Sequence, residues 1–353
     1  MENSYLISAY LYCKKDWKAE DIKGEYLTHI NYSFALVRDG VIAGEELDGL
    51  DEIRLVKDRF PHLKVLVSVG GWGADGFSDA ALTDATRSLF ARSVAKFMRN
   101  NRLDGIDIDW EYPCSSGGGI KSRPEDRENF SLLLEALRRE LDRCGAEDGK
   151  RYLLTAALGG TAYTLRFYDL KSISGVLDYI NLMTYDFTHD SSKETGHHTC
   201  LFSPEAKDDA PSADAAVRIC LDSGIPAGKL VLGCAFYGRG WDVADGDPNG
   251  LHTPAVGKSF GLHAPVASGC ISYSYRELAM RYIGKNGFKR YWDDSAKAPY
   301  LWNGNHFITY DDPESLRHKA SYVMANGLGG VMFWELSQDY GSELLGELHS
   351  QLK

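Results

Sequence analysis

The chain has 353 residues and carries 39 basic against 50 acidic side chains, a net charge of −11. That balance excludes a nucleic-acid binder, which needs a basic face for phosphates, and docking on an anionic membrane. Hydrophobic residues at 44% and aromatic residues at 12% exclude a disordered chain, and the length suits two or three domains, or one barrel of about 250 residues with insertions.

Short β-rich runs alternate with longer helical ones. Strands are predicted over Tyr5–Leu11, His29–Val37, Lys64–Gly70, Leu103–Trp110, Arg151–Leu158, Leu177–Thr184, Lys229–Phe236 and Leu328–Trp334. Most are nearly continuous apolar runs, as parallel strands buried on both faces require. Among the helical segments, Thr83–Asn100 sets Leu89, Phe90, Val94, Phe97 and Met98 at helical spacing. Pro124–Arg143 opens on proline and acids and closes on basic residues, as the helix dipole favours. Pro313–Asn326 also opens on proline and an acid, and Gly327 supplies the stop. Eight strands with intervening helices predict an α/β fold, a (β/α)8 TIM barrel. A doubly wound sheet is the alternative, but no GxGxxG follows any of the strands.

The gap between the seventh and eighth strands is longer than a crossover needs. Its stretch Gly238–Ile308 is rich in Gly, Tyr and Trp and holds a helix-like run, Tyr275–Asn286. It reads as a small α+β insertion on the rim, with residues 1–237 and 309–353 forming the catalytic barrel. The glycine-rich loop Ser115–Gly119 is followed by no GK[ST] and is no phosphate loop. Seven scattered cysteines without CxxC spacing predict mostly free thiols, with one surface disulfide as the alternative. His197–His198 reads as a surface pair with no third ligand, so no metal and no cofactor is expected. No apolar run reaches the ~18 residues of a membrane span. No signal peptide precedes Tyr5–Leu11, which implies the cytoplasm as the chain is written and secretion if a leader has been removed. A monomer is expected.

The most informative stretch is the fourth strand, Leu103–Trp110, continuing through Glu111-Tyr112-Pro113. Side chains alternate along a strand, so Asp107, Asp109 and Glu111 share one face and Ile106, Ile108 and Trp110 the other. In a barrel the apolar set meets the helices, and three carboxylates point into the lumen, about 6–7 Å from one to the next. A solvated acidic face suits an edge strand, not a central barrel strand, where buried like charges repel. A divalent metal site would want further oxygen or His ligands. Acid–base chemistry fits better: inner carboxylates hold the outer carboxyl protonated near neutral pH.

Asp-Gly-Ile-Asp-Ile-Asp-Trp-Glu at 104–111 resembles the active-site signature of the family 18 glycoside hydrolases, the chitinase family. Ser68-Val69-Gly70-Gly71-Trp72, Met183-Thr184-Tyr185-Asp186, Phe236-Tyr237-Gly238-Arg239, Tyr310-Asp311-Asp312-Pro313 and Gly329-Gly330-Val331-Met332-Phe333-Trp334-Glu335 resemble further motifs of that family, in its order. Two departures stand outside the acidic trio: Ala9 precedes Tyr10 where the family usually has glycine, and Gln338 follows the eighth strand where chitinases often have glycine.

The resemblance implies a retaining, substrate-assisted hydrolase of β-1,4-linked N-acetylglucosamine, acting on chitin or its oligosaccharides. It assigns Glu111 as acid and then base, Asp109 as orienter of the acetamido N–H, and Asp107 as a proton-sharing partner braced by Tyr10 and Ser68. Tyr185 donates to the acetamido carbonyl, with a core tyrosine as the plain alternative. Trp334 is a stacking platform or a core tryptophan. Asp186, Tyr237 and Arg239 contact sugar, Trp72 stacks on a further sugar, and Gly71, Met183, Phe34 and Tyr112 complete the binding set. Trp241, Trp292 and Trp302 are groove wall or core. Two other readings stand beside this one: a chitin-binding lectin, against which Glu111 weighs, and an endo-β-N-acetylglucosaminidase acting on N-glycans or peptidoglycan.

Overall fold

The computed structural model describes residues 5–14, 16–45, 47–189, 191–207, 209–243, 249–255 and 271–353. Eight parallel strands close into a barrel: β1 Leu6–Tyr12, β2 His29–Arg38, β3 Lys64–Gly70, β4 Gly105–Asp109, β5 Leu153–Gly159, β6 Tyr179–Met183, β7 Leu230–Ala235 and β8 Gly330–Trp334. Neighbours in sequence are neighbours in space. β1 closes the ring by pairing with β2 (Ala9 with Ile30) and with β8 (Leu6 with Gly330). The (β/α)8 expectation therefore holds, and the doubly wound alternative does not.

Alternation along the strands sorts the side chains into two cores. Ile106, Ile108 and Trp110 lie in the large cluster between barrel and helices, all fully or almost fully buried, with Trp110 stacked on Phe77 at 5.4 Å. A smaller cluster fills the lumen: Tyr10, Ala157, Tyr179, Met183, Val231 and Met332, with Phe34, Tyr112, Tyr185 and Trp334 packed against it. The polar residues of the lumen, such as Asn31, Ser68, Asp107 and Thr155, are all completely buried.

The helices begin and end where local chemistry allows. One spans Asp84–Asn100, its first turn capped by Thr83, which accepts the Thr86 N–H. The expected helix Pro124–Arg143 forms at Asp126–Asp148, later at both ends. Asp126 folds back to accept the Arg123 N–H at 2.6 Å, and Gly149, at φ 68°, takes the left-handed conformation that stops the helix. A third runs over Pro313–Ala325.

The chain leaves β7 directly into a five-stranded antiparallel sheet. Its strand order is Ile271–Ser274, Tyr237–Asp242, His306–Tyr310, Ala298–Trp302, Lys289–Asp293. Residues 244–248 and 256–270 of the expected insertion, including Cys270, lie outside the described residues. Trp241 and Trp302 are core there, packed with Val243, Tyr300 and Phe307, whereas Trp292 stacks on His318 at 5.5 Å. The helix expected over Tyr275–Asn286 is a correction: one α turn, Tyr275–Glu277, runs into a π turn, Leu278–Tyr282, and Ile283 is already extended. Gly284 in the left-handed region prevents its continuation. The six described cysteines are free. Among the described residues, no helix is long and apolar enough to cross a membrane.

Candidate active site

At the centre of the lumen, Asp107 accepts four hydrogen bonds from three other strands and a tyrosine of β1's inner face. Tyr10 Oη (2.8 Å) and Ser68 Oγ (2.7 Å) reach Oδ2; Thr155 Oγ1 (2.6 Å) and Asn181 Nδ2 (3.2 Å) reach Oδ1. Ser68 and Asp107 are register partners across β3 and β4, so the ladder itself brings them together. Burial pushes the Asp107 carboxyl up, and the four donors oppose that rise. The hydrogen bonds from Tyr10 and Ser68 to Asp107 that the resemblance implies are present. Thr155 and Asn181 were missed; a polar residue interrupting an apolar strand at lumen parity is the signal that marks both.

Above Asp107, Asp109 is buried, and its carboxyl is pushed well above the usual carboxylate range by burial and by the charges of Glu111 and Asp107. Its Oδ1 is buried with no hydrogen-bond partner. Glu111 follows just past the strand end. Burial and the Asp186 charge push it up to about 7, against an opposing hydrogen bond from Tyr112. The trio therefore shares protons and does not carry three full charges.

Tyr185 lies two residues past Met183, the last residue of β6. Burial and the Asp109 charge hold its hydroxyl neutral, and its Oη has Met332 Sδ at 3.8 Å, a weak acceptor. Asp186 follows it at φ 58°. Its Oδ1 accepts from Tyr237 Oη at 2.7 Å and Arg239 Nε at 2.5 Å, and His198 Nδ1 stands 3.7 Å away. Burial would raise this carboxyl, but His198 and Arg239 hold it well below the usual range.

Trp334 ends β8 with its ring stacked on Phe34 at 5.5 Å and 15°, and tilted against Tyr10 at 5.9 Å. Tyr12, not singled out from sequence, joins this group at 6.1 Å from Trp334. Gly71, at φ +92°, leaves the space that Phe34 fills: a Cβ there would sit 2.8 Å from the Phe34 ring. Trp72 stands apart at the rim, 66% exposed, with the Tyr112 ring 6.4 Å away. Three non-proline cis peptide bonds, Ser33–Phe34, Glu111–Tyr112 and Trp334–Glu335, lie in or beside this region.

The histidine pair is a correction. His197 and His198 are buried, not on the surface. The loop after β6 folds under the added sheet, so His197 Nε2 meets Asp293 Oδ2 at 3.1 Å and His198 packs on the Tyr237 ring at 5.0 Å. Among the described residues, no group of three or more His, Cys, Asp or Glu is placed to hold a metal ion.

A closed (β/α)8 barrel carries this acidic ladder and an aromatic group at the carboxyl ends of its strands, where barrels of this class place their active sites. The profile of Glycosyl hydrolases family 18 matches residues 7–339, and the chain belongs to that family. It is 44% identical over 326 residues to Chitinase A1 of Niallia circulans, which covers 89% of this chain and 45% of that protein. It is 34% identical to Chitotriosidase-1 of Mus musculus over 90% of this chain and 68% of that one. The chain thus spans less than half the length of the first relative. Among solved structures, a family 18 N-acetylglucosaminidase from Paenibacillus barengoltzii superposes with a TM-score of 0.91 at 40% identity, covering 98% of this chain and 99% of that chain. A variant class V chitinase from Nicotiana tobaccum in complex with NAG4 gives 0.89 at 26% identity, covering 99% of each chain.

Proposed function

We propose that this chain hydrolyses β-1,4 linkages between N-acetylglucosamine units of chitin oligosaccharides, with retention and with the substrate's own acetamido group as nucleophile. One observation carries the reading. Asp109 Oδ1 is a buried acceptor without a donor, and the Tyr185 hydroxyl is a donor with only a thioether beside it. Both are coupled electrostatically to Glu111. An acetamido group offers the N–H that Asp109 lacks and the carbonyl that Tyr185 lacks.

Glu111, protonated near neutral pH, donates to the leaving glycosidic oxygen and then takes a proton from water. The acetamido carbonyl oxygen bonds to the anomeric carbon as the glycosidic bond breaks, and Asp109 stabilises the resulting oxazolinium cation. Water then opens that ring and restores the β configuration. Trp334, backed by Phe34, supplies an apolar face for the reacting sugar. The names of the relatives support chitin as the substrate class, and the NAG4 bound by the tobacco enzyme supports a multi-sugar cleft.

The test is hydrolysis of N-acetylglucosamine oligomers beside a high-mannose glycopeptide and peptidoglycan. Cleavage of the oligomers alone supports the proposal. Cleavage confined to either of the other substrates replaces it with the endo-β-N-acetylglucosaminidase reading. Binding without cleavage replaces it with the lectin reading.

A further inference from the structure

The ladder between β4 and β5 ends one rung before the peptide that leads into Glu111. Leu153 N–H donates to Asp104 O at 2.9 Å, and the strands stay in register from Gly105–Leu153 to Ile108–Ala156. Parallel rungs recur at every second residue, so the next one due at the rim joins Gly159 N–H to Trp110 O. A side chain stands there instead. Tyr168 Oη donates to Trp110 O at 3.4 Å, and the Gly159 N–H faces the same hydroxyl oxygen. Burial and the charges of Glu111 and Asp109 push the Tyr168 pKa well up, so the hydroxyl keeps the proton it donates. Tyr168 is itself fixed from outside the barrel, in the core between strands and helices. Its N–H donates to Leu165 O, its carbonyl accepts Arg127 Nε at 3.2 Å, and its ring meets Phe130 edge-on at 5.4 Å. On the other flank of β4, Gly71 N–H donates to Asp109 O at 2.9 Å, so backbone holds that side.

We propose that Tyr168 is a positioning residue for Glu111: its hydroxyl, spliced between Trp110 O and Gly159 N–H, holds β4 and β5 apart at the rim and sets the direction in which the acid leaves the strand. The inference rests on the proposed function. Trp110 O and the Glu111 nitrogen share one peptide, so the bond acts on the backbone of the acid itself. The opened rung is filled on the lumen side. A Cβ at Gly159 would stand 2.9 Å from the ring of Tyr112, the residue whose hydrogen bond opposes the rise in the Glu111 pKa. Without the hydroxyl, either Trp110 O and Gly159 N–H stay buried and unpaired, or the two strands draw together to pair them. Both changes swing Glu111 relative to the glycosidic oxygen, and proton transfer is sensitive to such misplacement.

The experiment measures kcat/KM of Tyr168→Phe on the N-acetylglucosamine trimer and on a dinitrophenyl glycoside of the disaccharide. A sugar leaving group needs the proton, whereas dinitrophenolate, a weak base, departs with little help. The variant is therefore expected to lose about 10-fold or more on the trimer and under about 3-fold on the dinitrophenyl substrate. Phe130→Leu loosens the same aromatic packing but leaves the hydroxyl. It is expected to lower the melting temperature and to keep the ratio between the two substrates at the wild-type value. Equal losses of Tyr168→Phe on the two substrates, no loss on the trimer, or the same substrate bias in Phe130→Leu would overturn the positioning role while leaving the functional reading intact. A wild type inactive on both substrates would overturn the functional reading and this role with it. If Tyr168→Phe does not fold, Tyr168→Met is read against the same outcomes.

Discussion

Arg239 Nε donates to Asp186 Oδ1 at 2.5 Å, a bond that ties the first strand of the added sheet to the residue just past the sixth barrel strand. Tyr237, from the same strand, donates to the same oxygen. The added sheet thereby fixes a carboxylate whose charge raises the Glu111 pKa. Asp186 is thus a tuning charge as well as an anchor.

Asp186→Asn removes that charge, so the Glu111 carboxyl falls below about 7. In the proposed mechanism the acid is the protonated form of Glu111, and its loss marks the basic limb of the pH–rate profile. In kcat/KM measured against pH, that limb is expected to move toward acid. An unmoved limb would show that Asp186 exerts no field on Glu111.

Glu111→Gln is expected to keep oligomer binding and to lower turnover by about 10²–10⁴-fold. Its stability carries a second signature. The folded-state pKa is raised from 4.5 to about 7, so ionising Glu111 favours the unfolded chain as pH rises between those values. Glutamine cannot ionise. The variant is therefore expected to melt with the wild type at low pH and above it at pH 8, by a few degrees or so. Thermal melts at the two pH values read this directly; equal melting temperatures at pH 8 would contradict it.

Thr155→Val takes one of four donors from Asp107 while keeping the shape of the strand. The buried carboxylate oxygen then loses its 2.6 Å partner. A loss of roughly 1–3 kcal/mol in denaturant unfolding is expected. Because Thr155 lies beneath the site, kcat should fall with little change in KM, and a rise in KM alone would argue against that placement.

Beside β7, Lys319 and Asp311 form an ion pair with both side chains fully buried, at 2.6 Å. Asp311 Oδ2 also accepts the Ala235 N–H at the end of β7, and Oδ1 accepts from Ser315. Lys319→Met leaves the carboxylate buried and uncompensated, and is expected to destabilise the fold by about 3–5 kcal/mol. A loss under about 1 kcal/mol would contradict a net contribution of the pair to stability.

The fourth strand was legible because a period of two sorts Asp107, Asp109 and Glu111 from Ile106, Ile108 and Trp110 without any knowledge of neighbours. Of the donors around Asp107, Tyr10 and Ser68 were marked by family motifs, whereas Thr155 and Asn181 carried only their polar character at lumen parity. Thr155 and Asn181 come from strands whose approach is set by barrel closure, and no local pattern encodes it. His197 and His198 look like polar loop residues until the added sheet covers them. The helix over Tyr275–Asn286 fails because the chain turns out of its π turn at Ile283, just before left-handed Gly284. The glycine run at 117–119 stands out in sequence, but its contact with Trp72 exists only once the loops after β3 and β4 lie side by side.

In the proposed mechanism the substrate supplies the nucleophile, with Asp109 as orienter and Glu111 as proton donor and acceptor. Digesting partially deacetylated chitin oligomers and sequencing the products by mass spectrometry tests it most directly. The expected result is that the sugar whose anomeric carbon is attacked carries an N-acetyl group at every cleaved bond, while glucosamine is tolerated elsewhere in the cleft. Frequent cleavage on the reducing side of a glucosamine unit would contradict it, because a free amine has no carbonyl oxygen with which to form the oxazolinium ring.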